Sequence, residues 1–124
     1  MPTAQVVTLT ETRHTTVKRI MWDWLSTDAG VVTSSTTYAY DGLLERVVFD
    51  PDAGGTLPDD GYDVTITDPD GNDVLAGLGA NLSQAATVVK VHSDGLTAVA
   101  GQKLTLNIAA AGDANGGIVI VYLR

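Results

Sequence analysis

The chain has 124 residues, a formal net charge of -8 and no cysteine. That length suits one domain with a real core, and the lack of thiols excludes a disulfide framework and a thiolate metal site. The acidic balance opposes sequence-independent nucleic-acid binding and attraction to anionic membranes, both of which need clustered Lys and Arg.

The charge is unevenly placed. Residues 41–73 hold ten acids against one base, Arg46, whereas the remaining chain has five acids and six bases. This acidic third reads as a solvated, solubilising surface, with a basic partner or cations as the functional alternative. Residues 1–5 show no basic n-region and no apolar h-region, and no stretch approaches transmembrane length. The expectation is synthesis in the cytoplasm.

In chain order, residues 1–12 are polar and threonine-rich, with Val6, Val7 and Leu9 as an apolar island. They predict an N-terminal arm or an edge strand. An arm could add to the sheet edge of a neighbour, which makes Val6, Val7 and Leu9 the candidate partner interface. Residues 13–124 read as a single β domain. In residues 14–26, Ile20, Trp22 and Trp24 share one strand face with Lys18, and Val17, Arg19, Met21, Asp23 and Leu25 share the other. Two tryptophans at i and i+2 fill a core, or, if exposed, form a platform for stacking sugar rings. Asp23 sits on the opposite face, which does not favour the platform.

A turn at Thr27-Asp28-Ala29-Gly30 leads into a polar strand over 31–40, with Thr36, Tyr38 and Tyr40 on one face. Asp41-Gly42 carries the signal of a two-residue hairpin turn. The return strand over 43–49 is apolar on both faces (Leu43, Val47, Phe49; Leu44, Val48), which predicts a central position. Residues 50–60 form the longest loop. Residues 61–75 give the most explicit hairpin: Tyr62, Val64 and Ile66 alternate with polar residues, Asp68-Pro69-Asp70-Gly71 turns, and Val74 and Leu75 start a return strand. Residues 77–81 are irregular. Strands follow over 87–92, after which Ser93-Asp94-Gly95 turns, and over 102–109, with Leu104, Leu106 and Ile108 inward. Residues 118–123 are apolar on both faces and are placed mid-sheet, so removal of the last seven residues is expected to unfold the domain. Eight or nine short strands with regular turn signals predict an all-β fold, an antiparallel β-sandwich or β-barrel.

Catalytic equipment is absent from this reading. There are two histidines, His14 and His92, and neither accompanies an activated nucleophile. Asn81-Leu82-Ser83 matches the glycosylation triplet by chance, and Gly54-Gly55 and Gly116-Gly117 lack the lysine and the strand-to-helix setting of a phosphate loop. Asp68, Asp70 and Asp73 are candidate calcium ligands, with Asp50, Asp52, Asp59 and Asp60 in the preceding loop. Asp-Pro-Asp-Gly is equally ordinary turn chemistry, and the structural reading is preferred. No cofactor is expected.

The chain as a whole resembles small virion proteins of tailed bacteriophages. The residues that carry the resemblance are Lys18-Arg19-Ile20-Met21-Trp22-Asp23-Trp24, Thr36-Thr37-Tyr38-Ala39-Tyr40-Asp41-Gly42 and Leu44-Glu45-Arg46-Val47-Val48. It continues through the Asp-Pro-Asp and Gly-Gly-Thr loop into Tyr62-Asp63-Val64-Thr65-Ile66-Thr67-Asp68, Asp73-Val74-Leu75, Lys103-Leu104-Thr105-Leu106-Asn107 and Val119-Ile120-Val121-Tyr122. The resemblance spans most of residues 13–124 and implies a capsid decoration (cement) protein. Such a protein binds the outer surface of the phage head, often as a homotrimer, and clamps neighbouring major capsid protein subunits. The alternatives are a tail, collar or fibre-base component of the virion, or a carbohydrate-binding module.

Overall fold

The computed structural model describes residues 4–51 and 56–124. Nine strands account for about half of them: β1 (Val6–Thr12), β2 (Lys18–Leu25), β3 (Val32–Ser35), β4 (Tyr40–Asp50), β5 (Asp63–Thr67), β6 (Val88–Val91), β7 (Ala98–Gln102), β8 (Thr105–Ala109) and β9 (Gly116–Leu123). A single 3-10 turn, His92–Asp94, follows β6. The larger sheet has the order β1-β2-β9-β4-β6, with β7 also on β4, and the smaller has the order β3-β8-β5. All pairings are antiparallel. The two sheets enclose one core and do not close into a barrel, so the sandwich is the alternative that forms.

Period-2 alternation builds the core. Ile20, Trp22 and Trp24 of β2, Val119, Val121 and Leu123 of β9, and Val47 and Phe49 of β4 line the inner face of the larger sheet. Val64 and Ile66 of β5, Leu106 and Ile108 of β8, and Val32 of β3 face them from the smaller sheet. Trp24 and Tyr62 meet across the core with ring centroids 5.9 Å apart. Gly117 has no side chain because the Trp24 ring occupies that space: a Cβ there would lie 2.9 Å from it. At the end of the sandwich where β2 finishes, Ser26 and Asn115 are buried and tie two loops. The Ser26 amide donates to the Asn115 carbonyl (2.8 Å), the Ser26 hydroxyl to the Gly112 carbonyl (2.8 Å), and the Asn115 amide to the Ser26 hydroxyl (3.0 Å).

Four expectations are corrected. Asp41-Gly42 does not turn a hairpin; it lies inside β4, and β3 pairs with β8 in the other sheet. Gly42 is required for a different reason. The main chain of Arg124 runs alongside, exchanging hydrogen bonds of 3.0 Å with Leu43, and a Cβ on Gly42 would sit 2.7 Å from its carbonyl oxygen. The polar strand over 31–40 is cut to Val32–Ser35, because the chain crosses between sheets at Thr36, whose hydroxyl receives the Leu104 amide.

The inward face of β4 also differs. A bulge places Glu45 as an extra residue between the pairs Leu44↔Leu123 and Arg46↔Tyr122. The face switches there, so Leu44 joins Val47 and Phe49 inside while Leu43 is exposed. Finally, Val74 and Leu75 do not begin a return strand. The pairing stops at one bridge, Thr67↔Asp73, and one hydrogen bond from Val74 to Ile66. The Asp73 carboxylate accepts the amides of Ile66, Leu75 and Gly77, which curls the chain into turns with positive φ at Ala76 and Gly77.

Candidate functional site

Three sequence-nominated sites can be placed. Trp22 and Trp24 are 0% and 2% exposed, so they form core and offer no stacking platform. Asp68, Asp70 and Asp73 share a turn but do not converge on a cation. Asp68 accepts the amides of Asp70 and Asn72 (3.0 Å each), and Asp73 is occupied by three amides. Among the described residues no group of three or more His, Asp or Glu is arranged to hold a metal. The fold also divides the acidic third. Asp59, Asp60 and Asp63 lie at one end of the sandwich, and β5 carries the chain to Asp68, Asp70 and Asp73 at the other. Asp59 and Asp60 serve neighbouring loops through Asn115 and the Gln84 amide. Asp52 and the Gly54-Gly55 pair lie outside the described residues.

The N-terminal segment, apart from residues 1–3, which also lie outside the described residues, is an edge strand of its own sheet. β1 pairs with β2 from Val6↔Leu25 to Thr12↔Arg19. Val7 and Leu9 pack against the core, whereas Val6 is 58% exposed, so the proposed interface trio splits between two roles. Side chains stitch β1 to the smaller sheet. Gln5 exchanges two hydrogen bonds with the Thr33 backbone (2.7 and 2.8 Å), as a neighbouring strand would. The Glu11 carboxylate accepts the amides of Thr37 (2.7 Å) and Tyr38 (3.3 Å) and the hydroxyl of Tyr40 (2.6 Å). Arg13 stacks on Tyr38, 3.4 Å from the ring centroid. Burial, and then the bond to Glu11, hold the Tyr40 phenol well above its usual range.

Among the described residues β1 has β2 on one side and no strand on the other. At seven residues it is the longest strand with a single neighbour: β3 and β6 have four residues, β5 and β7 five. The 74–82 segment covers the outer side of β5, through Val64 to Gly79 and Leu82 to Tyr62 hydrogen bonds.

A further surface escaped the sequence reading. The outer face of the larger sheet is crossed by rows of register-matched side chains. Met21, Ile120, Val48 and Val89 form one row across β2, β9, β4 and β6. Val89 is 49% exposed and the other three are part-exposed. The adjacent row contains Arg19, Tyr122 and Arg46. Arg19 donates to the Tyr122 hydroxyl (3.4 Å), and the Arg46 guanidinium lies 4.2 Å from the Tyr122 ring centroid. Hydrogen bonding from Arg19 lowers the Tyr122 pKa, against a smaller opposing effect of burial. Neither guanidinium has a carboxylate partner among the described residues. On the other side of the apolar row stand Asp23, exposed, Ile118 and Asp50. A recess beside Val6, Thr8, Asp23 and Leu25 opens on this face. It is too open to enclose a small ligand as binding pockets do.

The sequence hides this face because Ile118, Ile120 and Val48 belong to runs that are apolar on both strand faces. A signal is present: Arg19 and Asp23 share the parity of Met21, and Arg46 that of Val48.

Among the described residues no helix is long and apolar enough to cross a membrane. In comparisons with protein-family models, curated proteins and solved structures, the chain matches none.

Proposed function

We propose that the chain is a non-enzymatic structural protein of a tailed-phage virion. It acts as a decoration protein that docks, in several copies, on the outside of the head and bridges major capsid protein subunits. The observation that carries this reading beyond the sequence resemblance is the open β1 edge. A seven-residue strand with one neighbour offers main-chain donors and acceptors to an extended segment of a capsid subunit. Exposed Val6 and the outward Thr8, Thr10 and Thr12 flank that edge and give the added strand side chains to pack on. The Glu11 and Gln5 bonds hold β1 in place, so little ordering entropy is lost when a partner pairs with it. Repetition on a lattice turns modest single contacts into firm attachment. The acidic ends of the sandwich suit basic capsid surface.

The test is co-sedimentation of purified protein with decoration-free expanded heads and, separately, with isolated tails. Saturable binding to heads that raises their heat tolerance is expected, and Thr10→Pro on the β1 edge is expected to weaken it. Binding to tails alone moves the protein to the tail apparatus. Binding to neither overturns the proposal.

A further inference from the structure

The outer face of the larger sheet carries a charge pattern that matches itself. Along the strand direction its rows run from Arg19, Tyr122, Arg46 and Val91, through Met21, Ile120, Val48 and Val89, to Asp23, Ile118 and Asp50. Arginines stand at one end, acidic residues at the other, and apolar side chains between them. We propose that this face pairs with the same face of a second copy, about a two-fold axis running along the apolar row.

Two face-to-face rotations are available, and charge selects between them. Rotation about the strand direction would lay the arginine row on its own mate and cost like-charge repulsion. Rotation about the row direction reverses the strands. It sets Arg19 of each copy against Asp23 of the other, and lays Met21, Ile120, Val48 and Val89 against their own symmetry mates. A two-fold contact is isologous, so each complementary pair occurs twice.

The size of the face is consistent with a reversible pair. Strands lie about 4.8 Å apart and alternate residues about 6.7 Å apart, so five strands and three or four rows cover roughly 500–650 Å² per copy. That corresponds to on the order of 1,000 Å² buried in total, at the lower edge of specific interfaces. The two unpaired guanidiniums are already partly organised by Tyr122, which reduces the ordering needed on contact. This pairing uses a face and leaves the β1 edge open. It does not depend on docking to a phage head, and the purified chain alone tests it.

The experiment is sedimentation velocity over roughly 5–500 μM protein, where a weak specific pair dissociates measurably. It is run at about 0.15 M salt, where long-range repulsion between two acidic molecules is screened. A concentration-dependent dimer is expected. Arg19→Asp alone and Asp23→Arg alone each place like charges opposite one another and are expected to weaken the dimer more than about tenfold. The double variant R19D/D23R restores opposite charges and is expected to return to within about threefold of the parent. Ile120→Lys, at the centre, is expected to give a monomer with an unchanged β-sheet circular dichroism spectrum. A chain that stays monomeric throughout overturns the proposal. So does a dimer or trimer indifferent to the single charge reversals, or a double variant no better than the singles.

Discussion

Glu11 takes two donors from the segment that precedes β4 and a third from Tyr40 at its start, and so joins the edge of the larger sheet to the crossing between sheets. Glu11→Ala leaves the Thr37 and Tyr38 amides and the Tyr40 hydroxyl without their acceptor. Water can replace the acceptor for the two exposed amides, but the part-buried Tyr40 hydroxyl loses its partner, at a cost of about 1 kcal/mol. The expected result is a melting temperature lower by roughly 3–6 °C. Amide exchange should quicken through β1 while the β9 amides stay protected. An unchanged melt would mean that Glu11 is dispensable to the docking of β1. At this scale much was legible. Ile20, Trp22 and Trp24 share one strand face, Tyr62, Val64 and Ile66 alternate with polar residues, and all six are buried as the period of two requires. Glu11 itself was not legible, because its partners are 26 to 29 residues away and no local pattern names them. Nor was the bulge at Glu45, where one extra residue reverses every assignment before it.

Among the elements, β9 pairs with β2 along its whole length and with β4 from Ile118 to Leu123. Removing residues 118–124 strips Val119, Val121 and Leu123 from the core and leaves two long strands without their common neighbour. Burying those side chains is worth about 1.5–3 kcal/mol each, which together approaches the whole stability of a small domain. The truncated chain is therefore expected to lose cooperative melting and dispersed amide resonances, and a retained sharp transition would contradict the central role of β9. The sequence placed this strand mid-sheet from its unbroken apolar run, and the position holds, although the run also implied a covered second face that is part-exposed here. It missed β7, whose Ala-Val-Ala-Gly-Gln has little alternation and is held by pairing to β4. It also paired β3 with β4, since Asp-Gly is a strong local turn signal. The winning contact, with the Arg124 main chain, is remote.

For the whole molecule, the two layers were legible from strand count and turn spacing, but the outer face was not. Exposure depends on which layers exist, and a sequence of strands does not state whether anything covers the second face of a sheet. The layered core has a consequence at alkaline pH that belongs to the molecule and not to one contact. Burial, and then the charge of Asp50, push the Tyr62 phenol up to about 12, and Tyr40 is raised as well. A group whose pKa is raised by folding contributes stability that is complete below its unfolded value, about 10, and is lost as pH climbs through the folded value. Tyr122 has the opposite sign: its pKa is lowered, so its contribution arrives as pH rises towards 10 and persists above it. Melting temperature is therefore expected to hold or rise slightly up to about pH 10 and to fall steeply between about pH 10 and 12. Tyr62→Phe removes an ionisable group from the core without removing its ring. It should carry the falling limb to higher pH, whereas Tyr122→Phe should remove only the gain before it. A Tyr62→Phe protein that melts along the parent curve would show that Tyr62 ionises in the folded state as freely as in the unfolded chain, which a fully enclosed core does not allow.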